Sequence, residues 1–280
     1  VRAIDCLHLG RERVICCWQI GDVLVDPGPS SCLPTLLAAL DGAVPRALLL
    51  THIHLDHAGA SGTLARRFPD LEVYVHERGA RHMHSPERLI ESATRLYGAD
   101  MDRLWGAFEP VPEERLHVLH GGEELVIGER RFAVAYTPGH ASHHVSYLHE
   151  GTAFTGDVGG CRVVPEAVAI PPTPPPDIDV EAWHRSLEQI AAWRPERLAM
   201  THFGMTEDVD GQLNAVGGRL DRWADLARDY DRDTWVQAVR EEIRAGSPTP
   251  EMFESFMQAV PSEQAYAGLR RYWDKREAAA

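Results

Sequence analysis

Short apolar runs closed by glycine, proline or aspartate alternate, over the first part of the chain, with segments whose apolar residues recur every three or four positions. The runs RVICCWQI (13–20) and DVLVD (22–26), with Gly21 and Asp22 between them, predict a hairpin that Asp26-Pro27-Gly28 closes. LPTLLAAL (33–40) reads as helix, RALLL (46–50) as a buried strand, SGTLARRF (61–68) as a second short helix and LEVYVH (71–76) as the next strand. Strand, helix, strand in succession implies a sheet flanked by helices, an α/β chain. From Ser85 to Phe108 the spacing of Leu89, Ile90, Ala93, Leu96, Tyr97, Leu104, Trp105 and Phe108 is helical and predicts a covering element. Strands return in EELVIG, RFAVAYT, VSYLHE and TAFTGD, so the alternation repeats in a second half without any repeat of sequence.

PPTPPP (171–176) cannot enter a helix or a central strand and predicts a stiff surface segment rather than a domain break. Behind it, Val180, Trp183, Leu187 and Ile190 share one helical face, and RLAMTHFG (197–204) is another strand ending in a histidine. Beyond Met205 the pattern is helix only, with Val209, Leu213, Val216, Leu220, Trp223, Leu226 and Tyr230 at intervals of three and four. The expected organisation is a main domain over 1–205 and a helical C-terminal extension over 206–280 packed on it.

Composition narrows the function. Lys+Arg of 28 against Asp+Glu of 42 gives a net charge of −14, spread along the chain, which disfavours nucleic acid and anionic membranes as partners. A small-molecule substrate fits better, and with Lys275 the only lysine, cationic contacts fall to arginine or a metal. Five cysteines (Cys6, Cys16, Cys17, Cys32, Cys161) without CxxC spacing predict buried reduced thiols, neither a disulfide framework nor a thiolate zinc site. No N-terminal basic-plus-apolar signal and no membrane-length apolar run is present, so the expected location is cytoplasmic.

One stretch does not follow any period. THIHLDH (51–57) packs His52, His54, Asp56 and His57 behind an apolar run. In an extended loop, residues two apart point the same way, so His52 and His54 can face one ion while Asp56 and His57 face a second. The helical zinc pattern HExxH is absent, which places the site in a loop at a strand's C-terminal end, where α/β folds keep their chemistry. Further ligands are then expected at other strand ends, and His140 in TPGH, Asp157 in TGD and His202 in THFG stand there.

THIHLDH, TPGH, TGD and THFG in this order resemble the metallo-β-lactamase-fold hydrolase superfamily, in its glyoxalase-II-like branch, over roughly residues 14 to 206. The resemblance implies a four-layer αββα sandwich with two metals at one edge of its sheets. It assigns His52, His54 and His140 to one metal, Asp56, His57 and His202 to the other, and Asp157 as the bridge. Asp26 matches an early acidic position that orients a ligand histidine.

Two divalent ions, two carboxylates and a bridging hydroxide leave a core near +1 overall, which supplies a nucleophile and attracts an oxyanion. Asp56 is the residue expected to orient that hydroxide. Nitrogen and oxygen donors suit zinc, the default, as well as iron or manganese. His143 and His144 follow His140 closely and are read as structural hydrogen-bonders ahead of a substrate role, while Tyr97 is a candidate for the substrate pocket. The helices over 86–108 and 206–280 are either walls of an acyl pocket or ordinary core or oligomer contacts; a homo-oligomer stays open. His8, His76, His117 and His184 are left out, because a lone histidine is more often a hydrogen-bonded residue than a ligand.

The bridging position is Asp157, where many secreted β-lactamases carry cysteine; Gly160 stands where acyl-homoserine lactonases carry tyrosine, and scarce lysine argues against glutathione. What remains is a binuclear hydrolase of an ester, thioester or lactone. The rivals are a mononuclear-iron persulfide-dioxygenase-like oxidoreductase, a phosphodiester hydrolase and a non-catalytic metal-binding protein.

Overall fold

The computed structural model describes residues 1–278. The chain forms two compact units, Val1–Tyr136 and Thr137 onward. In the first, β1 (Arg2–Asp5), β2 (Cys16–Ile20) and β3 (Val23–Val25) precede α1 (Leu33–Leu40) and β4 (Ala47–Leu49). Then come α2 (Leu55–Ala58), α3 (Ser61–Arg67), β5 (Glu72–His76), α4 (Glu77–His84), α5 (Glu87–Tyr97) and α6 (Met101–Leu104). β6 (Leu116–Leu119), β7 (Glu124–Ile127) and β8 (Arg130–Tyr136) complete the unit.

Its sheet runs β1-β2-β3-β4-β5-β6. The β1–β2 and β2–β3 pairs are antiparallel and the pairs from β3 to β6 parallel, with Val25 opposite Leu49. All three residues of β4 are buried, as expected of a strand covered on both faces. β7 and β8 form an antiparallel hairpin. The edge strands β1 and β6 are each four residues long and expose two of them, and the sequence pattern did not show them. α5 buries none of its residues, so the amphipathic pattern at 87–97 does not mark a core helix.

The second unit holds β9 (Val145–His149), β10 (Thr152–Phe154), α7 (Val180–Ala192), β11 (Arg197–Met200) and β12 (Gly204–Thr206), in the order β12-β11-β10-β9. α7 is the crossover that lets β10 and β11 run parallel. Four helices follow: α8 (Val209–Asp229), α9 (Arg232–Ala245), α10 (Pro250–Ala259) and α11 (Ser262–Glu277). Asp208, Asp231 and Thr249 cap three of them, each side chain accepting a backbone N–H of the first turn. Trp183 of α7, Leu198 of β11, and Leu220, Trp235, Phe256 and Leu269 of the later helices belong to one buried cluster. The C-terminal helices and the strands before them thus share a single core.

PPTPPP departs from expectation. Pro171, Pro172 and Thr173 are buried, and only Pro176 is exposed. Proline content keeps the segment out of helix and sheet, but a strap without secondary structure can still be covered when carbonyls find donors, as those of Pro172 and Pro176 do.

All five cysteines are free and buried. Burial pushes the Cys32 thiol up to about 11, and it raises those of Cys6, Cys16, Cys17 and Cys161 further, the last helped by the charge of Asp157. At pH 8 the native protein should therefore give almost no reaction with a water-soluble disulfide reagent over minutes, whereas all five thiols titrate once it is unfolded. A rapidly reacting native thiol would contradict this packing.

Candidate metal centre

Parallel β3 and β4 end side by side, and the loops that leave them carry Asp26 and the THIHLDH segment. Residues 51–54 are irregular, and Asp56 and His57 lie one turn further on, in the helical turn α2. The imidazoles still converge: the His52 and His54 rings are 4.5 Å apart and those of His52 and His57 4.0 Å, centroid to centroid. His52 and His57 are fully buried.

Asp26 organises this group. It is buried with φ 50, a left-handed conformation that aspartate tolerates better than most residues. Its Oδ1 accepts the Thr51 backbone N–H at 2.8 Å, and Oδ2 accepts the Thr51 hydroxyl at 2.7 Å and His57 Nδ1–H at 2.8 Å. Because the Thr51 hydroxyl gives its one proton to Asp26, its oxygen is left to accept His52 Nδ1–H, 3.1 Å away. Both rings therefore keep their lone pair on Nε2. His57 Nε2 lies 3.8 Å from Asp56 Oδ2, on a side chain still 21% exposed.

The second unit builds a matching cluster. Asp157 follows β10, His202 follows β11, and His140 stands in the loop before β9. His140 Nδ1–H donates to the Pro172 carbonyl at 2.8 Å, which again leaves Nε2 as the lone pair. That Nε2 is 3.3 Å from Asp157 Oδ2, and His202 Nε2 is 3.5 Å from Asp157 Oδ1. The supporting elements are helical: Trp183 Nε1 donates to Val158 O, Ser186 Oγ to Pro138 O and Gln212 Nε2 to Gly159 O. Arg162 N–H to His202 O at 2.7 Å ties the two strand-end loops together.

In both clusters an imidazole lone pair faces a carboxylate oxygen, and two acceptors in contact repel. A cation between them, a proton or a metal ion, turns that contact into attraction. Imidazoles whose Nδ1 is already committed, as in His52, His57 and His140, beside carboxylates are the donor set of a hard-to-borderline divalent ion, so the residues fit such a metal.

The remaining candidates have other surroundings. His144 is buried with Nδ1 2.9 Å from the Thr137 hydroxyl, and the partly exposed His143 lies beside it. Tyr97 packs edge-on against Trp105, 5.1 Å between centroids, and Trp105 stacks on His8. His117 pairs with Glu72 and His184 with Asp221, both hydrogen-bonded histidines. Gly160 has φ 83, and a Cβ there would lie 2.4 Å from Val216 of α8, so a tyrosine cannot replace it without moving the helix. Sequence reasoning missed Thr51 and the Pro172 carbonyl. Thr51 borders the histidine motif and could have been suspected; a backbone carbonyl leaves no signal in a sequence.

Known proteins place this arrangement. The metallo-beta-lactamase superfamily model matches residues 21–202. The metallo-beta-lactamase fold-containing protein ST1585 of Sulfurisphaera tokodaii is 31% identical over 197 residues, 68% of this chain and 72% of that one. Hydroxyacylglutathione hydrolase of Xanthomonas campestris is 36% identical over 136 residues, but these span only 40% of its length and 48% of this chain. The crystal structure of ST1585 superposes with a TM-score of 0.69 over 96% of this chain and 97% of that one; at 22% identity it carries the fold alone. Among the described residues no helix is long and apolar enough to cross a membrane. With a family model over most of its length and a relative matched across more than two thirds of both chains, the chain belongs to the metallo-beta-lactamase superfamily of metal-dependent hydrolases, with that family's α/β fold and additional C-terminal helices.

Proposed function

We propose that the two clusters together hold two divalent metal ions, zinc in the first instance, and that the chain hydrolyses an ester, thioester or lactone of a small molecule. His52, His54 and His140 would hold one ion, Asp56, His57 and His202 the other, with Asp157 shared. The observation that carries this reading is the repeated opposition of imidazole lone pair and carboxylate, 3.3 Å at His140–Asp157 and 3.8 Å at His57–Asp56, with His202 Nε2 also 3.5 Å from Asp157. When bound, such ions make hydroxide available near neutral pH and polarise an acyl oxygen. The chain's own residues do the rest. Asp26 and Thr51 hold the His52 and His57 rings with Nε2 outward, and the Pro172 carbonyl does the same for His140.

Asp56 differs from the other two carboxylates. Asp26 is fully buried and the Asp157 side chain is 5% exposed, whereas Asp56 reaches solvent and is the one available to orient a water molecule and hold its proton. The acyl class is supported by the hydroxyacylglutathione hydrolases among the relatives. Glutathione itself is disfavoured by a chain with a single lysine, and the lactonase-type tyrosine is excluded at Gly160 by Val216.

Elemental analysis of protein purified without chelator should find about two metal ions per chain, because seven donor side chains exceed what one ion accepts with a position left open. A value of one that persists after zinc or manganese addition would refute the binuclear reading. Asp26→Asn places an amide NH2 against the His57 N–H or the Thr51 donors, and metal affinity should fall about 10–100-fold with secondary structure retained; unchanged affinity in a metal-buffer titration would remove Asp26 from the site. On a panel of ester, thioester and lactone substrates, kcat/KM should rise with pH and level off above about 7, and Asp56→Ala should lose at least ~100-fold in kcat. His143→Ala and His144→Ala should keep the midpoint. A histidine variant that retains both metals yet loses the pH dependence would identify that histidine as the base instead.

A further inference from the structure

The strap Pro171–Pro176 connects a candidate ligand to the far end of the chain. Its Pro172 carbonyl accepts His140 Nδ1–H at 2.8 Å. One residue on, the fully buried Thr173 donates its hydroxyl to the Ala265 carbonyl of α11 at 3.1 Å. Gly268, one turn further along the same helix face, has no side chain because none fits: a Cβ there would lie 2.0 Å from the Thr173 carbonyl oxygen and 2.8 Å from the Pro174 carbonyl carbon. Arg271 Nε and Lys275 Nζ, the chain's only lysine, both donate to the Pro176 carbonyl, at 3.2 and 2.8 Å. Tyr272 anchors the helix itself, its hydroxyl donating to Glu181 at the start of α7. Residues 265, 268 and 272 fall at helical intervals on one face, with 271 and 275 beside it, so the whole contact is made by one rigid element.

Five of the six strap residues are proline, which fixes φ and removes the N–H. Such a segment cannot close its own turn hydrogen bonds and has few backbone conformations open to it. Wherever α11 holds Thr173, the Pro172 carbonyl is held too.

We propose that α11 is a positioning element of the metal centre, with Thr173 and Gly268 as its positioning residues: they fix the strap so that the Pro172 carbonyl keeps the His140 proton on Nδ1 and its Nε2 lone pair toward Asp157. The inference rests on the reading of His140 as a metal ligand. Thr173→Val is nearly the same shape without the donor, and Thr173→Ser restores the hydroxyl.

The test uses the full chain and two readouts. In the metal-free protein, 15N-resolved histidine ring spectra report the His140 tautomer; in the cobalt(II)-loaded protein, titration against a chelator gives affinity and the visible band reports geometry. Wild type and Thr173→Ser should show one Nδ1–H tautomer, and their cobalt affinities should agree within about threefold. Thr173→Val should mix tautomers, change the visible band and weaken one cobalt site about 10–100-fold, the range for partners that orient a metal-ligating histidine. A folded Thr173→Val with wild-type ring signals and cobalt affinity would overturn the proposal. Where Thr173→Val does not fold, Arg271→Ala/Lys275→Ala, on the exposed side of the contact, should shift the His140 ring signals in the same sense, and unchanged signals would overturn it. His140→Ala tests the underlying reading separately: if it still binds two cobalt ions, His140 is not a ligand, and the clamp on its ring is then judged by the metal-free spectra alone.

Discussion

A neutral imidazole has one N–H and one lone pair, and whatever accepts the N–H decides where the lone pair goes. The candidate centre depends on that constraint. Three histidines that point Nε2 toward carboxylates or toward one another have Nδ1 committed elsewhere: His57 to Asp26, His52 to the Thr51 hydroxyl, His140 to the Pro172 carbonyl. Each acceptor is buried and belongs to a segment that has few other conformations. A ring held this way presents its donor atom without losing rotational freedom when a metal arrives, the physical content of preorganisation.

Burial adds the second half of the argument. Asp26 is compensated by three donors, so a charged carboxylate at zero exposure is tolerated within the first unit. Asp157 has a different neighbourhood, with His140 Nε2 at 3.3 Å from one of its oxygens and His202 Nε2 at 3.5 Å from the other. A buried carboxylate is stable where positive charge or hydrogen-bond donors face it. Asp26 spends both oxygens on Thr51 and His57, whereas Asp157 turns its two oxygens to two imidazoles, although both are aspartates at strand ends.

The C-terminal helices take part in this arrangement. α8 reaches the Asp157 loop through Gln212 and crowds Gly160 with Val216, and α11 covers the strap beside His140. These helices share a core with the strands that precede His202 and Asp157, and Trp183, a member of that core, sets its ring edge-on to His140, 5.7 Å between centroids. Loop positions that must be held to tenths of an ångström are buttressed by helices with large buried aromatic residues.

Much of this was legible in the residues themselves. Periodicity located α1, α7 and α8 and the strands β3, β4 and β10, because each is buried on a fixed face and burial leaves a repeat. The polar cluster at 51–57 and the single histidines and aspartate after later strands stood out because nothing in a core pattern explains them. Edge strands β1 and β6 were not legible, since a short strand exposed on one side has no repeat to show. The strap at 171–176 is partly covered where its prolines predict surface: proline content limits local conformation, but whether a segment is covered depends on a helix about ninety residues away. Histidine types and spacing could name donors, whereas tautomers, the roles of Thr51 and Pro172, and the pressure of Gly268 on Thr173 follow from atoms brought together by folding. Sequence specifies which groups are present; only tertiary packing decides which hydrogen bond each one spends its proton on.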